Sequence, residues 1–232
     1  ASYDSGTGVL TLSGTDTLAR YQQVLRSITY NNLSEAPDTT TRFITVVATD
    51  GYTTSAAATA EITITAVNDA PTGSVSISGT PTQGQTLTAS NTLADADGMG
   101  SVSYQWLRNG VATGATGSTY TLTQADVGQA ITVRANYTDG QGTAEAVNSA
   151  ATTSVANIND APTGSVLISG TPTQGETLSA SNSLGDADGM GTVTYHWLRD
   201  GVDTGATGSS YELSQADVGK AITVRATYTD GQ

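Results

Sequence analysis

The sequence contains no cysteine, and this absence excludes a disulfide framework, thiol catalysis and metal sites built from thiolates. Charged residues are also scarce, at 12% of the chain, and 21 acidic residues against 8 basic ones give a formal net charge of −13. A surface with this balance repels nucleic acid and anionic membranes but attracts multivalent cations, so we expect neither of the first two as a partner. No apolar run approaches the ~18 residues of a membrane-spanning helix.

What the sequence does have is an internal repeat. The phrase Asn-Asp-Ala-Pro-Thr-Gly occurs at residues 68–73 and again at residues 159–164. Segments 71–141 and 162–232 differ at 15 of 71 positions, so 56 positions are identical. Proline excludes helix from the residue before it, so each phrase interrupts regular structure and separates two units.

The repeat therefore divides the chain into three predicted units. The second is a complete repeat and the third stops before its last strand, so we expect the chain to be a segment of a longer protein. The boundaries of the three units are residues 1–69, 70–160 and 161–232.

Short alternating segments separated by turn residues predict that the complete repeat is all-β. Predicted strands A, B, C, E, F and G cover residues 74–78, 85–90, 102–108, 120–122, 130–138 and 146–155. Trp106 lies on the inward face of strand C, and Asn109-Gly110, replaced by Asp200-Gly201 in the next copy, suits a two-residue hairpin turn. About seven short strands in about 90 residues, with a tryptophan on the third, indicate an immunoglobulin-like β-sandwich. We expect these sandwiches to follow one another as a linear rod.

The first unit has a different pattern, with one helix among its strands. After strand Val9–Leu12, Thr15 or Asp16 could cap a short helix that carries Leu18, Tyr21 and Leu25 on one face. Three further strands are predicted at Ser27–Tyr30, Thr41–Thr49 and Ala58–Val67. Together these elements would make a thin sandwich from which a piece is missing.

The motif with the clearest chemistry is Asp95-Ala-Asp97-Gly98, which recurs as Asp186-Ala-Asp188-Gly189. Two aspartates at positions i and i+2 of an extended loop point the same way, so both can reach one hard cation. By itself the motif fits a polar turn equally well. It is not an EF-hand, because Met99 and Trp106 occupy positions five and twelve.

The expected topology favours a cation-binding site over a simple polar turn. The linker, the B–C loop and the F–G loop lie at one end of an immunoglobulin-like sandwich, and four carboxylates there would repel one another without a cation. Oxygen ligands without His or Cys suit Ca²⁺ better than zinc or copper. The predicted ligands at the first junction are Asn68, Asp69, Asp95, Asp97 and Asp139, and those at the second are Asn159, Asp160, Asp186, Asp188 and Asp230.

For the other candidate residues, the sequence favours structural roles over functional ones. Asp126 and Asp217 both precede Val-Gly, and Asp126 could reach the next junction, but an acid at this position more often holds a turn. Asp50 in Thr-Asp-Gly matches Asp139 by position. His196 has no nucleophile in register, so we expect a surface residue and no enzymatic activity. Trp197, like its counterpart in the preceding repeat, is predicted to be core rather than a platform for sugars.

Two features of this sequence resemble the cadherin-like and immunoglobulin-like repeats of giant bacterial surface adhesins. One is Val-Asn-Asp-Ala-Pro after an alternating strand, and the other is Gly-Val-Leu-Thr-Leu-Ser-Gly at residues 8–14 leading into residues 21–30. Residues 1–69 resemble the C-terminal half of a cadherin-like domain, and residues 70–232 the Asp-Ala-Asp-Gly immunoglobulin-like class. The resemblance implies type I secretion, a bacterial cell-surface location and Ca²⁺ between domains.

The combined hypothesis is a set of calcium-stiffened repeats that extend an adhesin from the cell, as in biofilm attachment. Possible partners are a surface polysaccharide or neighbouring copies of the chain. One alternative is a subunit of an extracellular fibre in which neighbours complete each other's domains. Another is a carbohydrate-binding module of a secreted enzyme, which an exposed row of aromatic residues would favour.

Overall fold

The computed structural model describes residues 1–231 of the chain. The chain divides into two compact units, one of residues 1–69 and one that begins at Ala70. All pairs of named strands are antiparallel, and the fold is all-β with immunoglobulin-like sandwiches in the second unit, which confirms the predicted fold class. Among the described residues, no helix combines the length and the apolar character needed to cross a membrane.

The first unit contains two separate two-stranded sheets and one helix. Its elements in chain order are β1 (Ser2–Asp4), β2 (Val9–Thr11), α1 (Leu18–Arg26), β3 (Arg42–Val46) and β4 (Ala58–Ile62). Strand β1 pairs with β2, and β3 pairs with β4. No residue between 1 and 69, a stretch that the structure describes throughout, is buried. The unit therefore has ordered sheets without a closed hydrophobic core.

Helix α1 begins one or two residues later than its predicted caps. The side chain of Thr17 accepts a hydrogen bond from the Arg20 amide and caps the helix, rather than that of Thr15 or Asp16. The Asp16 carboxylate instead accepts from the Thr17 amide at 2.7 Å, so it is engaged one residue before the helix. Any of the three residue types can cap, and the backbone path decides between them.

The strand predicted at Ser27–Tyr30 is not formed. The Ser27 amide donates to the carbonyl groups of Val24 and Leu25, and the Ile28 amide donates to Leu25 at 3.4 Å. These residues therefore satisfy carbonyl groups at the end of α1, where helices leave their last acceptors unpaired. A β-branched residue favoured the strand, but the helix end determines the conformation.

The complete repeat is a sandwich of two sheets. Its strands are β5 (Val75–Ser78), β6 (Thr86–Asn91), β7 (Ser103–Arg108), β8 (Val111–Ala112), β9 (Thr119–Thr121), β10 (Ile131–Thr138) and β11 (Ala144–Asn148), and its single-turn helix is η1 (Gln124–Asp126). One sheet has the order β5-β6-β9 and the other β11-β10-β7-β8. Strands A, B, C, E and F are confirmed within one or two residues at each end.

The core of this repeat is organised around Trp106, which is completely buried. Its ring stacks on Tyr120 with the centroids 5.5 Å apart, and its Nε1 donates to the Gly117 carbonyl at 2.8 Å. Leu87 from one sheet and Val133 from the other are also fully buried, and each such side chain contributes about 1.5–3 kcal/mol to stability. The alternation of strands β6 and β10 therefore closes the sandwich.

Strand G is shorter than predicted, ending at Asn148 rather than Val155. Beyond that point the side chain of Ser149 accepts the Val133 amide at 3.0 Å, and that of Thr152 accepts the Ile131 amide at 3.0 Å. Their own amides donate back to the same two residues. Hydroxyl groups thus replace carbonyl acceptors, so the segment covers β10 without continuing the regular ladder.

The third repeat has the same layout over the residues that the structure describes. Its elements are β12 (Val166–Ser169), β13 (Thr177–Asn182), β14 (Thr194–Arg199), β15 (Val202–Thr207), β16 (Ser210–Glu212), η2 (Gln215–Asp217) and β17 (Ile222–Thr227). The sheets have the orders β12-β13-β16 and β15-β14-β17, so β17 lies at an edge. Trp197 is completely buried and stacks on Tyr211 at 5.3 Å.

Candidate metal site

The first aspartate of each Asp-Ala-Asp-Gly loop anchors that loop to strand F. Asp95 accepts the Asp97 amide at 2.9 Å on one oxygen and the Tyr137 hydroxyl at 2.5 Å on the other. Asp186 makes the same two contacts with Asp188 and Tyr228, at 2.9 and 2.5 Å. Hydrogen bonding to Asp186 and burial raise the pKa of Tyr228 to about 12, so this hydroxyl stays a donor. Both aspartates therefore orient the second aspartate of their loop.

The second aspartate, Asp97, is almost completely buried, at 4% exposure. Its Oδ1 accepts the Gln141 side-chain amide at 2.5 Å, and its carbonyl accepts the Gly140 amide at 3.1 Å. A Cβ at Gly140 would lie 2.3 Å from that carbonyl oxygen, so only glycine allows this approach. The F–G turn is therefore packed directly against the B–C loop.

Asp139, in the F–G turn, is a second buried carboxylate at this contact between the two loops. It is 6% exposed, and its Oδ1 accepts the amides of Gln141 and Thr143 at 2.9 and 2.7 Å. Its Oδ2 is buried and has no hydrogen-bond partner among residues 1–231. Asp50, which matches Asp139 by position, also accepts two backbone amides of its turn, but these are the amides of Tyr52 and Thr53. A buried carboxylate oxygen without a donor is costly, which makes Asp139 a candidate ligand.

The acidic residues do not form a cage made of carboxylates alone. Within the described residues, no group of three or more His, Cys, Asp or Glu side chains is placed to hold a metal ion. A cation here would therefore take part of its coordination from amide and backbone oxygens, which calcium accepts readily.

The junction between the second and third repeats is held together through Asp188. The Asp160 amide donates to its Oδ2 at 2.6 Å, and the side-chain amides of Asn157 and Gln124 donate to its Oδ1 at 2.7 and 3.3 Å. These donors, led by the Asp160 amide, lower the pKa of Asp188. The carboxylate is therefore ionised at neutral pH and bridges the linker and η1 to the following repeat.

A second contact fixes the linker itself. The Gln83 side chain donates to Asp160 Oδ2 at 2.8 Å and accepts the Ile158 amide at 3.1 Å on its own oxygen. Gln83 precedes strand β6 and lies at the same end of the repeat as η1. It therefore holds the linker in one register against the repeat that precedes it.

The structure brings together some of the predicted ligands of the second junction and not others. Asp160 and Asp188 are in direct contact, whereas Asp186 is held by Tyr228. Asn159 is exposed and its side chain donates to the Asp160 carbonyl at 3.1 Å, as Asn68 does to the Asp69 carbonyl at 3.2 Å in the first unit. Asp230 forms an isolated bridge with Met190, and Asp139 forms one with Met99.

Sequence reasoning missed the three amide side chains that contact these acids, those of Gln83, Gln124 and Asn157. A signal existed for the two glutamines, because both recur in the next copy, at 174 and 215. Unlike Asn68 and Asn159, these three amides do not stand beside an aspartate in a repeated phrase, and neutral side chains carry no charge pattern.

No family model matches the chain. The chain is similar to halomucin of Haloquadratum walsbyi, with 37% identity over 125 residues. That match takes in 50% of this chain and 1% of halomucin, so the chain spans a very small part of this relative. The chain is thus a tandem β-sandwich repeat protein that shares sequence with a small part of a much longer protein.

Asp126 has the structural role that the sequence favoured. It is the last residue of η1, is completely buried, and accepts hydrogen bonds from Arg108 Nε at 2.7 Å, the Tyr120 hydroxyl at 2.9 Å and the Thr123 amide at 2.8 Å. Burial opposes its ionisation, but these donors outweigh burial and lower its pKa. Asp217 makes the equivalent contacts in the third repeat, beginning with Arg199 at 2.7 Å.

The two tryptophans are not available as a platform for sugars. Trp106 and Trp197 are both at 0% exposure, which confirms that they belong to the core. His196 is half-buried on β14, and its Nδ1 lies 3.7 Å from Asp203 Oδ2. The aromatic side chains with the largest exposure, Tyr52 and Tyr3, both lie in the first unit.

Proposed function

We propose that this chain is a segment of extracellular or cell-surface repeats that space or attach a larger protein, and that Ca²⁺ binds at their loop ends. The role is binding and extension rather than catalysis. The observation that carries the proposal is Asp139 Oδ2, a buried carboxylate oxygen without a donor, in the turn that packs against the buried Asp97. A cation is the simplest group that would satisfy it.

The donor set fits calcium. Ca²⁺ takes six to eight oxygen ligands in flexible geometry and accepts carboxylates, amide carbonyls and backbone carbonyls together. Asp97 and Asp139 would hold the ion in the second repeat, while Asp95 keeps its loop in place through Tyr137. In the third repeat Asp188 occupies the position of Asp97. The bound ion would supply positive charge that offsets the buried carboxylates.

The extracellular location is supported by the similarity to halomucin and by the surface chemistry. A chain with a net charge of −13, no cysteine and few charged side chains suits a repeat that is exposed to the medium rather than one that binds nucleic acid. Stiffening would follow if one ion restrained two adjoining loops, because loss of the ion would leave carboxylates to repel each other.

Thermal unfolding in CaCl₂ and in EDTA tests the proposal. Ca²⁺ at 100 times its Kd would stabilise the folded state by about 2.7 kcal/mol, so wild-type protein is expected to melt higher in CaCl₂. Asp139→Asn should lose most of this rise, yet melt no lower than wild type in EDTA because the unpaired charge is gone. Asp203→Asn, at an exposed position on β15, is the matched control. Equal melting of wild-type protein in CaCl₂ and EDTA would contradict the calcium site.

A further inference from the structure

Two asparagines of the chain stand in the pattern Asn-x-Ser/Thr, in which the asparagine side chain can accept an N-linked sugar. One pattern is Asn-Leu-Ser at residues 32–34, and the other is Asn-Tyr-Thr at residues 136–138. The chain is rich in serine and threonine, so the pattern alone carries little weight. The two patterns differ in the conformation that the fold gives them.

The first pattern lies in a surface loop of the first unit. Residues 28–41 lie between α1 and β3 and contain neither helix nor strand, in a stretch that the structure describes throughout. Asn32 and its neighbour Leu33 are both exposed. A segment outside the sheets can enter the binding groove of a modifying enzyme without breaking a ladder of hydrogen bonds. The position of this loop therefore allows modification of the folded chain.

The local geometry of the loop also suits an acceptor. Asn32 Oδ1 accepts the Ser34 backbone amide at 3.1 Å, which closes an Asx turn. The turn folds Ser34 back beside the Asn32 side chain, so the two residues of the pattern can be bound together. The nitrogen Nδ2, to which an N-linked sugar is attached, takes no part in this hydrogen bond.

The second pattern provides a contrast within the same chain. Asn136 is half-buried inside β10 and is paired with Ser103 of β7 on one side and with Ala146 of β11 on the other. Its carbonyl oxygen also accepts the Ser103 hydroxyl at 3.2 Å. An Asx turn at this place would break both ladders, so the folded sheet excludes it. The third repeat has Thr227 at this position and therefore lacks the acceptor.

We propose that Asn32 is an N-glycosylation site and that the fold protects Asn136 from the same modification. The donor would be a sugar activated as a glycosyl diphosphate, carried by either a nucleotide or a polyprenyl lipid. Asn32 Nδ2 forms a bond to C1 of the sugar, the C1–O bond breaks, and its electron pair leaves with the diphosphate. Nδ2 loses one proton to a base of the transferase, so the step needs neither an oxidant nor a reductant.

A sugar at this position would cover exposed apolar side chains. Ile28, Tyr30 and Leu33 of the same loop are 42%, 46% and 85% exposed, and the first unit has no buried core to hold them. A bulky, hydrated group beside these side chains would reduce their contact with other apolar surfaces. The inference goes beyond the proposed function, because it concerns the first unit alone and does not depend on a calcium site.

Mass spectrometry of the protein purified from its own cells tests the proposal. Trypsin releases residues 27–42 as one peptide, and residues 135–199, which include Asn136, as another. The first peptide should carry a sugar, and electron-transfer fragmentation should place it on Asn32. Glycoforms that differ by one sugar would indicate a nucleotide-linked donor, and a single preassembled oligosaccharide a polyprenyl-linked donor; either supports the inference. A 27–42 peptide without a sugar on Asn32 would overturn it.

Variants expressed in the same cells separate the pattern from its surroundings. Asn32→Gln and Ser34→Ala should each abolish the modification, the second although the asparagine is retained, whereas Ser34→Thr should keep it. Asn31→Gln is the matched control, because Asn31 is an exposed neighbour outside the pattern, and it should change nothing. A sugar that persists in Ser34→Ala, or one found to the same extent on the 135–199 peptide, would overturn the inference.

Discussion

The second and third repeats share 56 of 71 aligned positions, yet they bury the same strand to different extents. In β10 three alternate residues are completely buried, namely Ile131, Val133 and Ala135, whereas the residues at the same positions of β17 are partly exposed. The difference lies in what covers the strand. In the second repeat, Val147 of β11 and Val155 beyond it pack against this face.

The comparison shows that an identical apolar sequence does not by itself produce an equal core. Strand β10 has a partner on each side, while β17 pairs only with β14 among the residues that the structure describes. Burial of strand F is therefore determined by a segment more than ten residues away in sequence. The two repeats form a natural pair in which the effect of that segment can be measured.

The largest expected effect is that of a cavity in strand F. Ile131→Ala should lower the free energy of unfolding of the second repeat by about 3–4 kcal/mol, because the side chain is fully buried and its neighbours cannot collapse. Ile222→Ala, at the matching position, should cost the third repeat only about 1–2 kcal/mol, since this side chain already contacts solvent.

Denaturant titration followed by tryptophan fluorescence would measure both. The chain contains only two tryptophans, one in each repeat, so Trp197→Phe and Trp106→Phe backgrounds report the repeats separately. Equal losses in the two repeats would mean that β17 is covered in solution, and the contrast drawn from strand G would then be wrong.

A smaller effect is expected from the buried ion pair below the core. Arg108→Met leaves Asp126 completely buried without its charged partner and should destabilise the second repeat by roughly 3 kcal/mol, near the low end of the range because the arginine is partly exposed. Arg199→Met should destabilise the third repeat in the same direction. Thermal unfolding at pH 7 measures both, and a variant as stable as wild type would show that the pair adds nothing.

The same pair predicts how stability depends on pH. The folded-state pKa of Asp126 lies below its ordinary value of 3.8, so the pair stabilises the repeat above that pH. This contribution is lost as the pH falls below 3.8 and through the folded-state pKa. The melting temperature of wild-type protein should therefore fall in that range, and that of Arg108→Met should fall less. Parallel curves for the two proteins would contradict the assignment.

The smallest effect concerns the hairpin turn, where the repeats differ in charge. Asn109 binds the Gln129 side chain in the second repeat, and Lys220 binds Asp200 at 2.9 Å in the third. Replacing the amide pair by Asn109→Asp with Gln129→Lys should shift the melting temperature by roughly 1–2 °C, because exposed ion pairs contribute little. The shift should disappear in 1 M NaCl. A larger shift that resists salt would indicate a packing effect.

Strands A, B, C, E and F of the repeat could be predicted from the sequence because their signals are local. Alternating apolar residues and the Asn109-Gly110 turn determine strand and hairpin without help from distant segments. The end of strand G could not be predicted, since it depends on hydroxyl groups of Ser149 and Thr152 that bond to another strand. The end of α1 was missed for a different reason, because Ser27 makes only local contacts with Val24 and Leu25 and so completes the helix instead of starting a strand.

The residues of the candidate site likewise fall into two groups, those that the sequence indicates and those whose role only the fold shows. The carboxylates Asp97, Asp139 and Asp188 stood out because charged residues are rare in this chain and these recur with a motif. The hydrogen bond from the Tyr137 hydroxyl to Asp95 joins residues that are 42 positions apart, and a single sequence does not reveal such a contact. The amides of the junction carry no charge, so only the fold shows that they face an acid.

The tyrosine that holds each loop also determines where a pulling force would enter a repeat. The Asp160 amide is bound to Asp188, Asp188 follows Asp186 in one tight loop, and Asp186 is bound to the Tyr228 hydroxyl immediately after β17. Tension along the linker is therefore transmitted to a strand rather than to a loose turn. If the chain were pulled at the junction, these polar contacts would act as a mechanical coupling that passes the load to the residue directly after β17.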